Sequence, residues 1–328
     1  MTSPNLRSAY GSSLVRLGKQ DARVVALEAD LGKSTQSALF QAEFPDRYFQ
    51  MGIAEQNMAS TAAGFALTGM IPFIHSFAVF ASGRDYDQLR NSICIPNLPV
   101  RICGSSAGLS DFGDGKTHQG VEDVALMRAL PNMTVVCPAD SIEMEKLMDC
   151  ILDWKGPVYI RINRNDLPFV YPPGGPYSIG KVTQLREGRD AAIFASGIMV
   201  SRALEAAQAL AAEGISTRVL DVATLKPLDR DAVIRYAEGV DAIVTAEEHS
   251  IIGGLGSAVV EALRGVAHAP VEFIGVPDSF GMSAENYNEL LAHFGLTSVA
   301  IANAVRTLST GSGDMHFAGF AVGNGGAR

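Results

Sequence analysis

Short apolar runs alternate with helical patterns through the first 160 residues. RVVALEAD (23–30) reads as a buried strand, as do MIPFIHSF (70–77), PVRICGSS (99–106) and PVYIRIN (157–163). Between them, EQNMASTAAGFAL (55–67) reads as a helix of small residues able to pack closely on a sheet, and VEDVALMRAL (121–130) as an amphipathic helix. MTVVCPAD (133–140) is a strand ending at a turn, with Asp140 or Ser141 capping the helix that follows. Such alternation implies a mostly parallel sheet covered on both faces. A break follows at LPFVYPPGGPYSIG (167–180), whose four prolines cannot extend a ladder, and this stretch reads as a linker. A second alternation begins with the strand AAIFASG (191–197) and the helix IMVSRALEAAQALAAEG (198–214), stopped by Gly214. STRVLDV (216–222), DAIVTAEE (241–248) and VEFIGV (271–276) are its further strands. The fold class is therefore α/β with two doubly wound domains: a larger one with a mostly parallel sheet over 1–166, a linker over 167–184 and a smaller one over 185–309. A glycine-rich tail, 310–328, is expected to be flexible.

Composition narrows the function classes. Apolar residues make up 47% and charged residues 19% of 328, enough apolar material for more than one core. The net charge of -9 argues against a nucleic-acid binder, which would carry a basic face, but leaves anionic substrates open. No run of 18 apolar residues is present, and MTSPNLRSAYG lacks an apolar signal core, so a cytoplasmic protein is expected. Cys94, Cys103, Cys137 and Cys150 form no CxxC pair and read as reduced, buried residues. The six histidines show no HxH or HExxH spacing, so no metal site of the chain's own is suggested.

Five segments hold candidate chemistry. In FPDRYFQMGIAEQNMASTAAGFAL (44–67) a strand is expected to end at Ile53, with Glu55 opening a helix at a strand's carboxyl end, where ligands bind in doubly wound sheets. The bland reading is a carboxylate favoured by the helix dipole; the sharper one is a buried acid tuned for proton exchange. In HSFAVFASGRDYDQLR (75–90), Phe77 and Phe80 are either one apolar helix face or an aromatic slot for a flat ring. SSAGLSDFGDGKTHQGVED (105–123) is a loop too long and polar for a plain connector, and its Asp114 and His118 both have the reach to point into a site. YIRINRNDLP (159–168) brings Arg161 and Arg164, which alternation places on different sides. EEHSIIGGLGSAV (247–259) has a Gly-rich turn before a helix; a tight turn explains it as well as phosphate binding does.

Taken in this order over residues 5–308, these segments resemble the C-terminal half of transketolase. FPDRYFQMGIAEQN and RDYDQLR also resemble deoxyxylulose-phosphate synthase, while GDGKTHQG with VEDVALMRALPNMTVVCPAD is similar to the β subunits of 2-oxo-acid dehydrogenases as well. RVLDVATLKPLD and EEHSIIGGLGSAV are similar to the transketolase terminal domain. The resemblance implies a pyrimidine-binding domain followed by a transketolase-type C-terminal domain, with thiamine diphosphate as cofactor and Glu55 hydrogen-bonded to its aminopyrimidine nitrogen. It further implies that Phe77 and Phe80 pack against the pyrimidine, with Ile53 and Asp30 also near the cofactor. His118 would serve as acid/base and oxyanion partner, Asp114 would hold a sugar hydroxyl, and Arg7, Ser34 and Arg164 would hold the substrate's phosphate. An arginine fork suits a phosphate, or another tetrahedral anion such as a sulfonate.

Two departures shape the expected function. The only GDG is Gly113-Asp114-Gly115, inside the GDGKTHQ loop, and no metal-ligating Asn follows about 30 residues on. The chain opens directly on the middle type of domain. Mg2+ and the diphosphate are therefore expected on an N-terminal transketolase subunit, in a two-plus-two heterotetramer around a self-dimerising core. Second, Ser106 stands where a typical transketolase has a substrate-binding histidine, which points away from the usual pentose phosphates toward an unusual sugar phosphate or a sulfonated sugar. The expected activity is transfer of a two-carbon ketol unit from a ketose to an aldose. The alternatives are the β subunit of a 2-oxo-acid dehydrogenase decarboxylating component, a deoxyxylulose-phosphate synthase fragment, and a non-catalytic binding module of the same fold.

Overall fold

The structure is a computed structural model and describes residues 5–310, so most of the glycine-rich tail lies outside the described residues. Twelve strands are described: β1 Val24–Glu28, β2 Tyr48–Gln50, β3 Ile71–Phe77, β4 Arg101–Ser105, β5 Thr134–Val136, β6 Val158–Ile162, β7 Thr183–Arg186, β8 Ala191–Ala195, β9 Thr217–Asp221, β10 Thr224–Lys226, β11 Ala242–Ser250 and β12 Val271–Val276. They form a seven-stranded sheet of order β10-β5-β6-β4-β3-β1-β2 and a five-stranded sheet of order β12-β11-β8-β9-β7. The first sheet is parallel from β5 to β2, the second from β12 to β9, and β10 and β7 add an antiparallel edge to each.

Helices on both faces explain why the central strands read as unbroken apolar runs. In β1, Val24 and Ala26 pack on one face beneath Leu14 and Leu17 of the helix Leu6–Gln20. Val25 and Leu27 pack on the other with Ala59 and Ala62 of the helix Glu55–Leu67, whose small residues let it lie close to the sheet. Asp140 caps the helix Ser141–Cys150: its Oδ1 accepts from the Glu143 amide at 2.7 Å. One expectation shifts. The strand thought to end at Ile53 stops at Gln50, because the Gln50 Oε1 turns back to accept from the amides of Asp30 and Gly52, at 2.9 and 3.1 Å, and Gly52 takes φ +70°.

The two sheets are tied together. β10 follows β9 in the chain but crosses to pair with β5 of the first sheet. At the end of β6, Arg161 Nε donates to Asp123 Oδ2 at 2.9 Å and its Nη1 lies 3.9 Å from Glu248 at the end of β11. Burial alone would lower the guanidinium's pKa, but Asp123 and Glu248 together hold it above its ordinary value. Glu248 also accepts from the Leu109 amide at 2.9 Å and from the Tyr287 hydroxyl at 2.7 Å. A buried pair broken on one side strands a charge, at a cost of roughly 3–5 kcal/mol. Arg161→Met is therefore expected to lower unfolding free energy by that amount, read by urea titration. A loss below about 1 kcal/mol would show that the pair behaves like an exposed one.

Candidate functional site

The sequence-derived candidates gather at the carboxyl ends of neighbouring strands β6, β4, β3, β1 and β2, the edge at which open α/β sheets bind ligands. At the end of β1, the buried Glu28 organises the turn that follows. Its Oε1 accepts from the amides of Ala29 and Leu31, each at 3.1 Å, and its Oε2 from the hydroxyls of Thr35, at 2.7 Å, and Ser37. Burial pushes this carboxyl up to about 7, against the pull of those donors. The turn presents Asp30, exposed and with φ +66°, and Ser34. A non-glycine residue in the left-handed region marks a conformation imposed by its surroundings. Ser106, buried at the end of β4 with φ +52°, is a second one on the same edge.

Past β2, Ile53 is 74% exposed while Glu55, two residues on, is 1% exposed. Arg84 Nη1 donates to both Glu55 oxygens at 3.0 Å, and Ser76 Oγ donates to Oε1 at 3.3 Å. The Arg84 guanidinium lies 4.4 Å over the Phe80 ring and its side chain is 45% exposed, so this ion pair opens outward. Phe77 ends β3 and Phe80 opens the next short helix, not one continuous helix face; their rings are near parallel, 15° apart with centroids at 6.3 Å. His118 meets both rings edge-on, at 6.2 and 5.4 Å, and its Nδ1 lies 2.9 Å from Thr117 Oγ1. A buried carboxylate is thus linked through Arg84 to a cluster of two aromatic rings and an imidazole, a set of groups suited to a flat heteroaromatic ring and to proton exchange beside it. Asp114 is exposed on the same loop, four residues before His118.

A second group lies beside the turn after β1. Arg7 Nη1 donates to the Ser34 carbonyl at 2.9 Å, and burial, then the charge of Arg164, lowers the Arg7 pKa. Two guanidiniums are thus close enough to repel. Arg164 lies beyond the end of β6 and pairs with the buried Asp111 at 2.5 Å, whereas Arg161 belongs to the interdomain cluster. The Gly-rich turn at 253–256 is a helix start whose amides are already taken: Glu247 accepts from Leu255 and Gly256 at 2.6 and 2.9 Å. Among the described residues, no group of three or more His, Cys, Asp or Glu is placed to hold a metal ion, and no helix is long and apolar enough to cross a membrane.

The candidates chosen from sequence omitted Glu28, Arg84, Asp85 and Asp111. An acid inside the apolar run VVALEA was the signal for Glu28. Nothing in RDYDQLR separates Arg84 and Asp85 from surface charges.

The chain matches the family description "Transketolase, pyrimidine binding domain" over residues 2–170 and "Transketolase, C-terminal domain" over residues 180–301. It is 42% identical to the 6-deoxy-6-sulfo-D-fructose transketolase subunit SqwH of Clostridium sp. (strain MSTE9), covering 93% of this chain and 94% of that one. It is 36% identical to a 1-deoxy-D-xylulose-5-phosphate synthase of Cyanothece sp. (strain PCC 7425 / ATCC 29141), covering 92% of this chain and 48% of that one. A solved split gene transketolase, described as an inactive beta4 tetramer, superposes with a TM-score of 0.84 at 46% identity, covering 93% of this chain and 98% of that one. The chain belongs to the transketolase family.

Asp85 gives this site a pH signature. It is fully buried, both its oxygens lack a hydrogen-bond partner, and burial, reinforced by the charge of Glu55, pushes it up to about 8 from an ordinary 3.8. The folded state then binds this proton more tightly than the unfolded one. Its contribution to stability is fully present below the unfolded pKa and declines as pH rises to about 8. Asp85→Asn lacks that titration, so it should gain stability relative to wild type as pH rises from 5 to 8 and level off above. Urea midpoints across that range check it; a difference that does not change with pH would mean Asp85 is not held protonated by the fold.

Proposed function

We propose that this chain is the C-terminal subunit of a thiamine-diphosphate-dependent split transketolase, moving a two-carbon ketol unit from an anionic ketose to an aldose. The observation that carries the reading is the buried Glu55 carboxylate at the carboxyl edge of the parallel sheet, paired with an Arg84 that lies over Phe80 in the Phe77, Phe80 and His118 cluster. The donor set fits one end of the cofactor: a carboxyl for a ring nitrogen and an aromatic pair for the ring's faces. When bound, the cofactor supplies a carbon nucleophile and an electron sink.

The chain's own residues supply binding and proton handling. With Arg84 giving way, Glu55 would offer its carboxyl to a pyrimidine nitrogen as a partner for proton exchange, and the burial that surrounds it excludes water. Phe77 and Phe80 orient the ring, with Ile53 and Asp30 on the cofactor's rim. His118, whose imidazole lies against both rings, would pass a proton to or from the substrate oxygen. Asp114 and Ser106 border the sugar, and Arg7, Ser34 and Arg164 receive its anionic end. The names of the Clostridium relative, a transketolase subunit, and of the split gene transketolase support a chain that works with a separate partner, which we take to be an N-terminal transketolase subunit. We place Mg2+ and the diphosphate on that partner, in a two-plus-two assembly around a dimer of this chain. Four unpaired cysteines, three of them buried, support a reducing, cytoplasmic setting.

Glu55→Gln keeps the shape but loses the exchangeable proton. In the complex with the N-terminal subunit it should lower ketol transfer by roughly 10²–10⁴-fold, with the fold unchanged by circular dichroism. Transfer at close to the wild-type rate would remove Glu55 from the mechanism.

A further inference from the structure

The guanidiniums proposed to receive the substrate's anionic end do not stand bare. Asp111 Oδ2 lies 2.5 Å from Arg164 Nη1, and Asp166 acts on Arg7 as a second nearby negative charge. Two cations and two carboxylates leave the subsite formally neutral before any ligand arrives. The backbone that carries Asp111 is also fixed in place. Asp111 is 3% exposed, its carbonyl accepts from Gln119 Nε2 at 3.1 Å, and the next carbonyl, that of Phe112, accepts from the Ala284 amide at 2.8 Å.

The subsite is nevertheless open to solvent at Arg164. The Arg164 side chain is 30% exposed, and a guanidinium has five N–H donors, so pairing with Asp111 leaves others free to point outward. Arg7 Nε is buried with no hydrogen-bond partner, an unmade bond that asks for an acceptor. An anion held by these donors sits beside a buried carboxylate. Its attraction to the two guanidiniums and its repulsion from Asp111 and Asp166 both grow with its charge, so a neutral subsite gives a dianion no extra hold while the dianion's larger desolvation cost remains. A phosphate monoester is mostly dianionic near pH 7, with a second pKa of about 6, whereas a sulfonate of similar tetrahedral shape has one charge. Two unopposed guanidiniums would favour the dianion, so a preference for the single charge falls to the carboxylate that cancels them.

We propose that Asp111 is a specificity-determining residue that sets this subsite for a singly charged tetrahedral head group, a sulfonate in preference to a phosphate dianion. The inference rests on, and deepens, the reading of Arg7 and Arg164 as the anion subsite.

Calorimetric titration of the full chain with D-fructose 6-phosphate and with 6-deoxy-6-sulfo-D-fructose, near pH 8, tests both levels. The wild type should bind the sulfonate more tightly. Asp111→Asn should improve phosphate binding by roughly tenfold relative to the sulfonate, and Arg164→Ala should weaken both. A second series needs no folded variant. Methylphosphonate should bind the wild type less tightly as pH rises and it loses its second proton, with methanesulfonate as the control for changes in the protein itself. A wild type that prefers the phosphate, or an Asp111→Asn that shifts both ligands equally, overturns the role of Asp111 and leaves the subsite standing. Arg164→Ala with unchanged binding of both ligands, or no binding of either by the wild type, overturns the subsite itself.

Discussion

Arg161 is a charge buried between two sheets, and much of the molecule is arranged to satisfy it. Its guanidinium reaches Asp123 at the start of a first-domain helix, Glu248 at the end of β11 and the Gly120 carbonyl. Glu248 in turn accepts from the Leu109 amide, and Gln119 Nε2 donates to the Met282 carbonyl. The loop at 105–120 is thereby held at both ends by the second domain. That loop bears Ser106, Asp111, Asp114 and His118, so side chains proposed to meet the substrate are positioned by residues more than 100 positions away in sequence. An ion cluster of this kind need not add net stability. Its evident consequence is geometric: one arrangement of the two sheets satisfies all the charges together.

The candidate site repeats one device. Cations and anions that a ligand would use are already paired with groups of the chain itself: Glu55 with Arg84, Arg164 with Asp111, and the helix amides at Leu255 with Glu247. The three differ in how readily they yield. Glu247 is 2% exposed and closes off its helix start, so the Gly-rich turn is structural. Arg84 is on the surface and has the Phe80 face beside it, so in the proposed complex it is the partner free to give way while Glu55 stays buried. Asp111 is buried on a fixed backbone while its partner Arg164 is half-open, and an incoming anion must share the arginine with it.

Most of the architecture was legible because period and composition agree. Strands buried on both faces read as continuous apolar runs, and the Ala-rich helix after Glu55 could only lie close to a sheet. The exchange of β10 to the other sheet was not legible, since three residues, Thr224–Lys226, carry no periodic signal. Candidate site residues were chosen where family resemblance and strand ends coincide, as at Glu55, Phe77 and His118. Partners that act through them were missed. Arg84 and Asp85 are adjacent in RDYDQLR, yet one is half-exposed over an aromatic ring and the other is wholly buried, a difference set by tertiary packing. The pairing of Arg164 with Asp111 spans 53 positions and depends on how the loop at 105–120 is held, so local pattern had nothing to say about it.

The central claim is that this chain holds one end of the cofactor and needs another chain for the rest. It is tested most directly by calorimetric titration of thiamine diphosphate with Mg2+ into this chain alone, and then into its mixture with the N-terminal subunit. The account predicts tight, Mg2+-dependent binding in the mixture and weak binding or none by the chain alone. Equally tight binding by the chain alone would contradict it, because a diphosphate site would then exist within this fold.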